Sequence, residues 1–263
     1  MNLITGIVIC KNEEQNIEDA IRSILWCDEV IVVDAFSTDK TVEIISRHKV
    51  TLYQNEWKGF ADQRRFILSK VKTDWVFSID ADERCTKELE SEIRQKISQK
   101  EINGEGFLIP RKSFFLNKWI KHGGWYPNYQ LRLFKKSAAD VTDRQVHESY
   151  MVNGLTGKLK NEILHYTVTS LSEYVIRINN YSDLSALEKM NKKKIGFFDI
   201  LILPRIAFFK QFIIKGNFLD GTEGLMVSKF HMITKLLNYM KIRELQSKNE
   251  EECFPQSLND SKI

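Results

Sequence analysis

Strands alternating with helices along residues 4–80 predict an α/β fold, a Rossmann-like and mostly parallel central sheet flanked by helices, with a helical C-terminal extension. Three features carry that reading. Ile4–Cys10, Val30–Val33 and Trp75–Ile79 are nearly continuous β-favouring runs, as strands buried on both faces must be. Between them, apolar residues recur at helical spacing. Polar and acidic residues then collect just past each strand, where sheets of this kind keep their ligands.

The elements follow in order. Ile4–Cys10 is the first strand, Lys11-Asn12-Glu13-Glu14 a polar loop, and Ile17, Ala20, Ile21, Ile24 and Leu25 one apolar helix face. Glu29–Asp34 is a second strand ending in an acid, and Ser37-Thr38-Asp39-Lys40-Thr41 supplies capping oxygens before a helix through Val42, Ile45 and His48. Val50–Tyr53 is a short third strand, Phe60–Val71 a third helix, and Trp75–Ile79 the strand that delivers Asp80-Ala81-Asp82-Glu83. A charged amphipathic helix spans Thr86–Gln99, and strands follow at Phe107–Arg111 and Gln130–Phe134. Between those strands lies Trp119–Pro127, where Gly123 and Gly124 stand beside Trp125 and Tyr126. Such rings stack well on sugars, and they also pack well on each other.

The acids after Trp75–Ile79 organise the functional reading. On an alternating strand Asp80 and Asp82 point the same way, so they could share a hard cation with oxygens at roughly 2.0–2.1 Å for magnesium. The plain alternative is a solvated acidic turn. No G-x-G-x-x-G follows the first strand and no G-x-x-x-x-G-K-[ST] occurs, which counts against a dinucleotide dehydrogenase and a P-loop enzyme. Phosphate would have to be neutralised by a metal on Asp80 and Asp82, aided by a cation such as Arg64.

With 263 residues, 43% hydrophobic and 28% charged, the chain can bury one large domain or a domain with an appendage. A formal charge of +4 is too small to point to nucleic acid, and no such partner is expected. Cys10, Cys27, Cys85 and Cys253 are scattered, which fits a reducing compartment better than zinc or disulfides. The first apolar run is too short for a signal-peptide core, and no window reaches the roughly 18 apolar residues of a spanning helix. The expectation is a cytoplasmic chain, peripheral on the inner face of the cytoplasmic membrane.

That expectation draws on residues 186–246, read as a basic amphipathic helical region. From Lys189 to Lys248, twelve Lys and Arg stand against Asp199, Asp220, Glu223 and Glu244, a net +8 among many Phe. Such a surface suits an anionic membrane interface, and equally a helix packed on a catalytic domain. Residues 247–263 are polar and are expected to be disordered.

Taken together, Lys11-Asn12-Glu13-Glu14, Asp34 with Ser37-Thr38-Asp39, Arg64 and Asp80-Ala81-Asp82 resemble the family 2 glycosyltransferases, whose GT-A fold binds nucleotide sugars. Gly59-Phe60, Gln63-Arg64, His122–Pro127, Leu131–Phe134, Val146-His147-Glu148, Leu164-His165-Tyr166 and Phe218–Gly221 resemble, more narrowly, the branch holding the lipopolysaccharide inner-core β-glucosyltransferases of the WaaE (KdtX) type. The ordered set spans roughly residues 2 to 240. It implies a GT-A domain over 1–185, with a nucleotide-sugar half at 1–110 and an acceptor half at 111–185.

The resemblance also implies roles. Asn12, Glu13 and Asp34 would border the nucleotide, Arg64 the base or diphosphate, and Asp80 with Asp82 would hold Mg²⁺ or Mn²⁺ on the diphosphate. Glu148 falls where related enzymes keep the base that deprotonates the acceptor, with Asp140 and Asp143 in reserve. His147 could be a third metal ligand, a diphosphate donor or a satisfied structural histidine. Trp125, Tyr126, Arg132 and His122 fall on the acceptor side, Arg132 being equally readable as a buried strand cation that needs a partner. One departure is Ala35-Phe36, where the family commonly has small residues including glycine.

The implied activity is inverting, metal-dependent transfer of a hexose, first of all glucose from UDP-glucose, onto a lipid-anchored saccharide such as the lipopolysaccharide inner core. A capsule or exopolysaccharide lipid-linked acceptor is the alternative within that class. A sugar nucleotidyltransferase would need a glycine-rich, basic opening loop that is not evident. A carbohydrate-binding module without catalysis would not need Asp80, Asp82 and Glu148.

Overall fold

A computed structural model describes residues 2–142 and 149–252, the side chains of 249–252 excepted. The chain begins β1 (Ile4–Cys10), α1 (Ile17–Ile24), β2 (Glu29–Asp34), α2 (Thr41–Ser46), β3 (Thr51–Gln54), α3 (Phe60–Lys70), β4 (Trp75–Asp80), β5 (Glu83–Cys85) and α4 (Lys87–Ile97). It continues through β6 (Gly106–Phe115), β7 (Lys118–Trp119), β8 (Asn128–Lys135), β9 (Ala139–Val141), β10 (Tyr150–Val152), β11 (Thr156–Lys158) and β12 (Ile163–Val168). Helices α5 (Leu171–Lys189), α6 (Phe197–Leu201), α7 (Leu203–Phe209) and α8 (Gly221–Glu252) follow; a π-helical turn (Lys210–Ile214) and a 3₁₀ turn (Asn217–Asp220) lie between the last two.

The first unit comprises residues 1–114 and 126–167. Its sheet runs β3-β2-β1-β4-β8-β6-β12-β5, with β11 beside β6. Pairing is parallel from β3 to β4 and turns antiparallel at β8, so the sheet is mixed on its acceptor-side half. Alternate residues go to opposite faces. Val8, Val32, Trp75 and Phe77 pack with Ile21, Ile24, Leu89 and Ile93 of α1 and α4, whereas Ile7, Ile31, Val33 and Val76 pack with Ile67 and Leu68 of α3. That two-sided burial explains why these strands read as unbroken apolar runs. The register aligns Cys10 with Asp34 and Ile9 with Asp80, bringing three chain segments out at one edge.

The second unit comprises residues 115–125 and everything from Val168 on. Phe115, Ile120, Val168 and Val227 form its centre, with Trp125, Tyr174 and Phe230 against them. A smaller cluster joins Ala186, Ile195 and Ile242. The two compact units divide at 167/168. The reason is that α5 packs along α8, and that Gly123 bonds through its N–H to the Lys215 carbonyl at 2.9 Å. The expected break at 246/247 lies inside α8, which runs on to Glu252; residues 253–263 are outside the described residues. Among the described residues no helix is long and apolar enough to cross a membrane.

Candidate active site

Two loops past the carboxyl ends of β1 and β2 are laced together. The Asn12 N–H donates to Ser37 Oγ at 2.8 Å, and the Thr38 N–H returns a bond to Asn12 Oδ1 at 2.8 Å. Asn12 adopts a left-handed φ of 56°, a conformation asparagine tolerates better than most residues. The Glu13 N–H donates to Thr41 Oγ1 at 2.8 Å, while its carboxylate accepts from the Asn16 amide at 2.9 Å. Asp34 lies beneath this clasp, 0% exposed. It accepts from the Ser37 hydroxyl, from the Ser37 N–H at 3.0 Å and from the Gln54 amide at 3.2 Å. In this arrangement Asp34 holds the loop from below, and the exposed Asn12 forms its rim. Phe36, the departure noted above, has φ 53° and is exposed, so a glycine-like conformation is kept there by a bulky ring.

The acids after β4 do not form the simple pair that strand alternation implies. β4 stops at Asp80, and Ala81-Asp82 turns before β5 starts at Glu83. Arg84 pins that turn, donating to the carbonyls of Ala81 at 2.7 Å and Glu83 at 2.9 Å. Glu83, expected to run out into solvent, is instead 0% exposed. Its carboxylate accepts from the Asp80 N–H at 3.0 Å, Arg132 at 2.8 Å and Arg111 at 3.4 Å. Buried charge is tolerable only with such partners.

Arg132 is thus a buried strand cation with carboxylate partners. It bonds Asp80 as well as Glu83 through Nη2. Burial pulls its guanidinium toward neutrality, but the two carboxylates outweigh this and raise its pKa. Burial likewise pushes the Asp80 carboxyl up, and Arg132, then Arg64 and His165, outweigh it and hold Asp80 below the ordinary aspartate value. Arg64, which acts electrostatically on Asp80, has its guanidinium 5.4 Å from the Phe60 ring centre and 5.5 Å from that of Tyr150. Burial pushes the Tyr150 phenol up to about 12.

Asp82 has a different neighbour, which sequence reasoning left without a role. His165 Nε2 lies 3.2 Å from Asp82 Oδ2, and the Tyr166 N–H donates to the Asp82 carbonyl at 2.9 Å, so β12 delivers the imidazole. On the other ring nitrogen, Ser113 Oγ at 3.1 Å and Thr167 Oγ1 at 2.9 Å can each donate or accept. Either tautomer is thereby satisfied, leaving Nε2 able to donate to Asp82 or to offer a lone pair. Among the described residues no three His, Cys, Asp or Glu side chains converge on one metal position. A cation here has Asp82 and His165 as ready donors and must complete its shell from a bound ligand and water.

The remaining expected site residues divide between the units. Tyr126, in the first unit, donates its hydroxyl to Glu162 at 3.1 Å. Trp125, in the second, packs edge-on to Phe115 at 6.3 Å, which favours the packed reading of that ring. His122 pairs with Asp220 of its own unit, Nδ1 to Oδ1 at 3.0 Å. Asp140 sits on β9 and accepts from the Val141 N–H. His147, Glu148 and Asp143 lie outside the described residues. An open cavity of about 550 Å³, lined by Lys72, Lys100, Lys135 and Lys136, lies at the amino end of β4, away from the acids.

Known proteins resemble this chain over most of its length. A model of glycosyl transferase family 2 matches residues 5–155. An uncharacterized glycosyltransferase of Rickettsia felis is 31% identical over 95% of this chain and 93% of its own. A lipopolysaccharide core biosynthesis glycosyltransferase, LpsC of Rhizobium meliloti, is 25% identical over 91% of each chain. Among solved structures, S. aureus TarS residues 1–349 align over 99% of this chain and 95% of theirs, at 15% identity and a TM-score of 0.45.

Proposed function

Because the chain belongs to glycosyl transferase family 2, and is thus an enzyme that draws on a nucleotide sugar, we propose that it moves a hexose from a UDP-sugar onto a lipid-anchored saccharide with inversion. The observation that carries the reading is the ring of charged groups at the carboxyl end of β4: Asp80 held by Arg132, and Asp82 beside His165. A nucleotide diphosphate needs cationic and metal-binding partners together, and this edge of the sheet offers both.

The donor set fits a divalent cation, Mg²⁺ or Mn²⁺, with Asp82 and His165 as its protein ligands and Asp80 alongside. Such an ion supplies Lewis-acid stabilisation of the departing diphosphate. The chain's own residues do the rest. Arg64 offers positive charge to phosphate, and Arg132 keeps Asp80 ionised and still. The Asn12–Ser37 clasp and Asp34 beneath it give the nucleotide a rigid rim. In the transfer, the acceptor hydroxyl oxygen bonds to the anomeric carbon as the carbon–oxygen bond to phosphate breaks, the electron pair leaving with the diphosphate. The hydroxyl proton passes to a carboxylate, for which Glu148 is the residue the resemblance offers.

Glucose from UDP-glucose and a lipopolysaccharide inner-core acceptor are the first substrates to try. The similarity to a protein named for lipopolysaccharide core biosynthesis supports that choice over a capsule or exopolysaccharide intermediate. The chain would then act at the inner face of the cytoplasmic membrane. The test is a nucleotide-sugar panel, with and without Mg²⁺ or Mn²⁺, on wild type, Asp82→Ala and Glu148→Gln. Asp82→Ala should lose metal-dependent turnover. Glu148→Gln should bind donor normally and lose transfer by roughly 10²-fold or more; full transfer by this variant would remove Glu148 from the base role.

A further inference from the structure

Residues 197–219 are turned inside out relative to a water-soluble helical segment. Their large apolar side chains face outward: Phe197 is 71% exposed, Phe198 70%, Phe209 58%, Ile214 70% and Leu219 62%. Apart from Pro204, their buried members are polar. Gln211, Asn217 and the adjoining Asp220 are almost wholly covered. Gln211 donates to the Gly123 carbonyl at 2.7 Å, Asn217 to Ser228 Oγ at 3.1 Å, and Asp220 accepts from the His122 N–H at 2.9 Å. A Cβ on Gly123 would lie 1.9 Å from Asn217 Oδ1 and 2.5 Å from Gln211 Nε2, so glycine is what lets these two side chains close on the backbone of residue 123. A surface helix ordinarily buries its apolar stripe and shows its polar one. Here the polar groups pin the segment down and present the apolar ones.

The charge around this face is one-sided. Lys192, Lys193, Lys194, Arg205, Lys210 and Lys215 are all exposed; Asp199, the one acid from 192 to 219, is spent on Lys193 at 2.5 Å, and Glu188 of α5 pairs with Lys192 at 3.0 Å, so that Arg205, Lys210 and Lys215 set the sign of the charge beside the apolar side chains. α6 and α7 are only 5 and 7 residues long, too short to span a bilayer but able to lie in its interface. A second copy of this chain would bring the same six cations against themselves across a two-fold axis. An anionic lipid surface complements both the charge and the apolar face.

Resting on the reading of the acceptor as lipid-anchored, we propose that residues 197–219 are a membrane-seated segment, with Phe197, Phe198, Phe209, Ile214 and Leu219 in the acyl boundary and Arg205, Lys210 and Lys215 on phospholipid headgroups. It narrows the membrane contact from a broad basic region to one short stretch, and it fixes which face of the second unit meets the bilayer.

The experiment is flotation of the full chain with vesicles of equal parts phosphatidylglycerol and phosphatidylcholine, and with vesicles of phosphatidylcholine alone. Wild type should float with the anionic vesicles. Phe198→Asp combined with Ile214→Asp should abolish flotation. Lys210→Glu combined with Lys215→Glu should weaken it at least about 25-fold, roughly fivefold for each cation lost. Unchanged UDP binding and circular dichroism in both variants would tie the loss to the surface. Absence of wild-type flotation, variants that float like wild type, or a homodimer dissociated by the two aspartates would each overturn the proposal. Vesicle binding without any UDP binding would overturn the donor assignment and leave this segment's role standing.

Discussion

Glu83 and Arg132 bear the heaviest electrostatic load among the residues of the site. Both are almost fully buried; Arg132 is the nearer of Glu83's two guanidinium partners, and Arg132 is itself compensated by Asp80 first and then by Glu83. Arg132→Met roughly keeps the volume but leaves the buried Glu83 charge with the Asp80 N–H and, as the remaining described cation bonded to it, Arg111 at 3.4 Å. It should cost about 3–5 kcal/mol of unfolding free energy, read from urea denaturation; a loss under ~1 kcal/mol would mean that Arg111 and water suffice. The positions of Asp80, Asp82 and Arg64, acids past an apolar strand and a cation on the preceding helix, are written in neighbouring residues, and their roles stand as proposals. Glu83 looks the same in sequence as Asp80 and Asp82, which are only partly buried. What buries it is Arg132, 49 positions away, and no local pattern records that distance. His165 was quoted in a motif but had no assigned task, for the same reason: Asp82 reaches it only through β12.

Among the elements, the repeated strand–helix units from β1 to α4 were readable because each is long enough to display its own period. β5 and β9–β12 were not. β5 has 3 residues, and its place is set by antiparallel pairing with β12, which aligns Glu83 with His165. The same pairing that hides the strand from sequence reading builds the site. Helix α8 yields a pH prediction at this scale. Burial, then Lys235 and Lys215, hold His231 below its ordinary 6.5. A histidine that resists protonation in the folded state adds stability that is complete above 6.5 and is lost as pH falls through its lower folded value. The urea midpoint of wild type should decline as pH falls below 6.5, and His231→Gln should flatten that part of the curve. An identical slope in both proteins would assign the decline to other groups.

For the whole molecule, the chain combines a sheet unit that carries the acids with a helical unit whose α6–α7 stretch exposes its apolar side chains. The α/β class followed from patterning alone, since buried parallel strands cannot alternate. The division did not, because Phe115–Trp125 joins helices that begin some 50 residues later, and only its hydrogen bonds to Lys215, Gln211 and Asp220 reveal the fact. The central claim is that Asp82 and its neighbours make the carboxyl end of β4 a cation-assisted diphosphate site. Calorimetric titration of UDP into the full chain, with and without Mn²⁺, tests it most directly. Binding should depend on the ion and be at least about tenfold weaker, ~1.4 kcal/mol, in Asp82→Ala; binding indifferent to both the ion and the substitution would mean that the acids after β4 hold no such site.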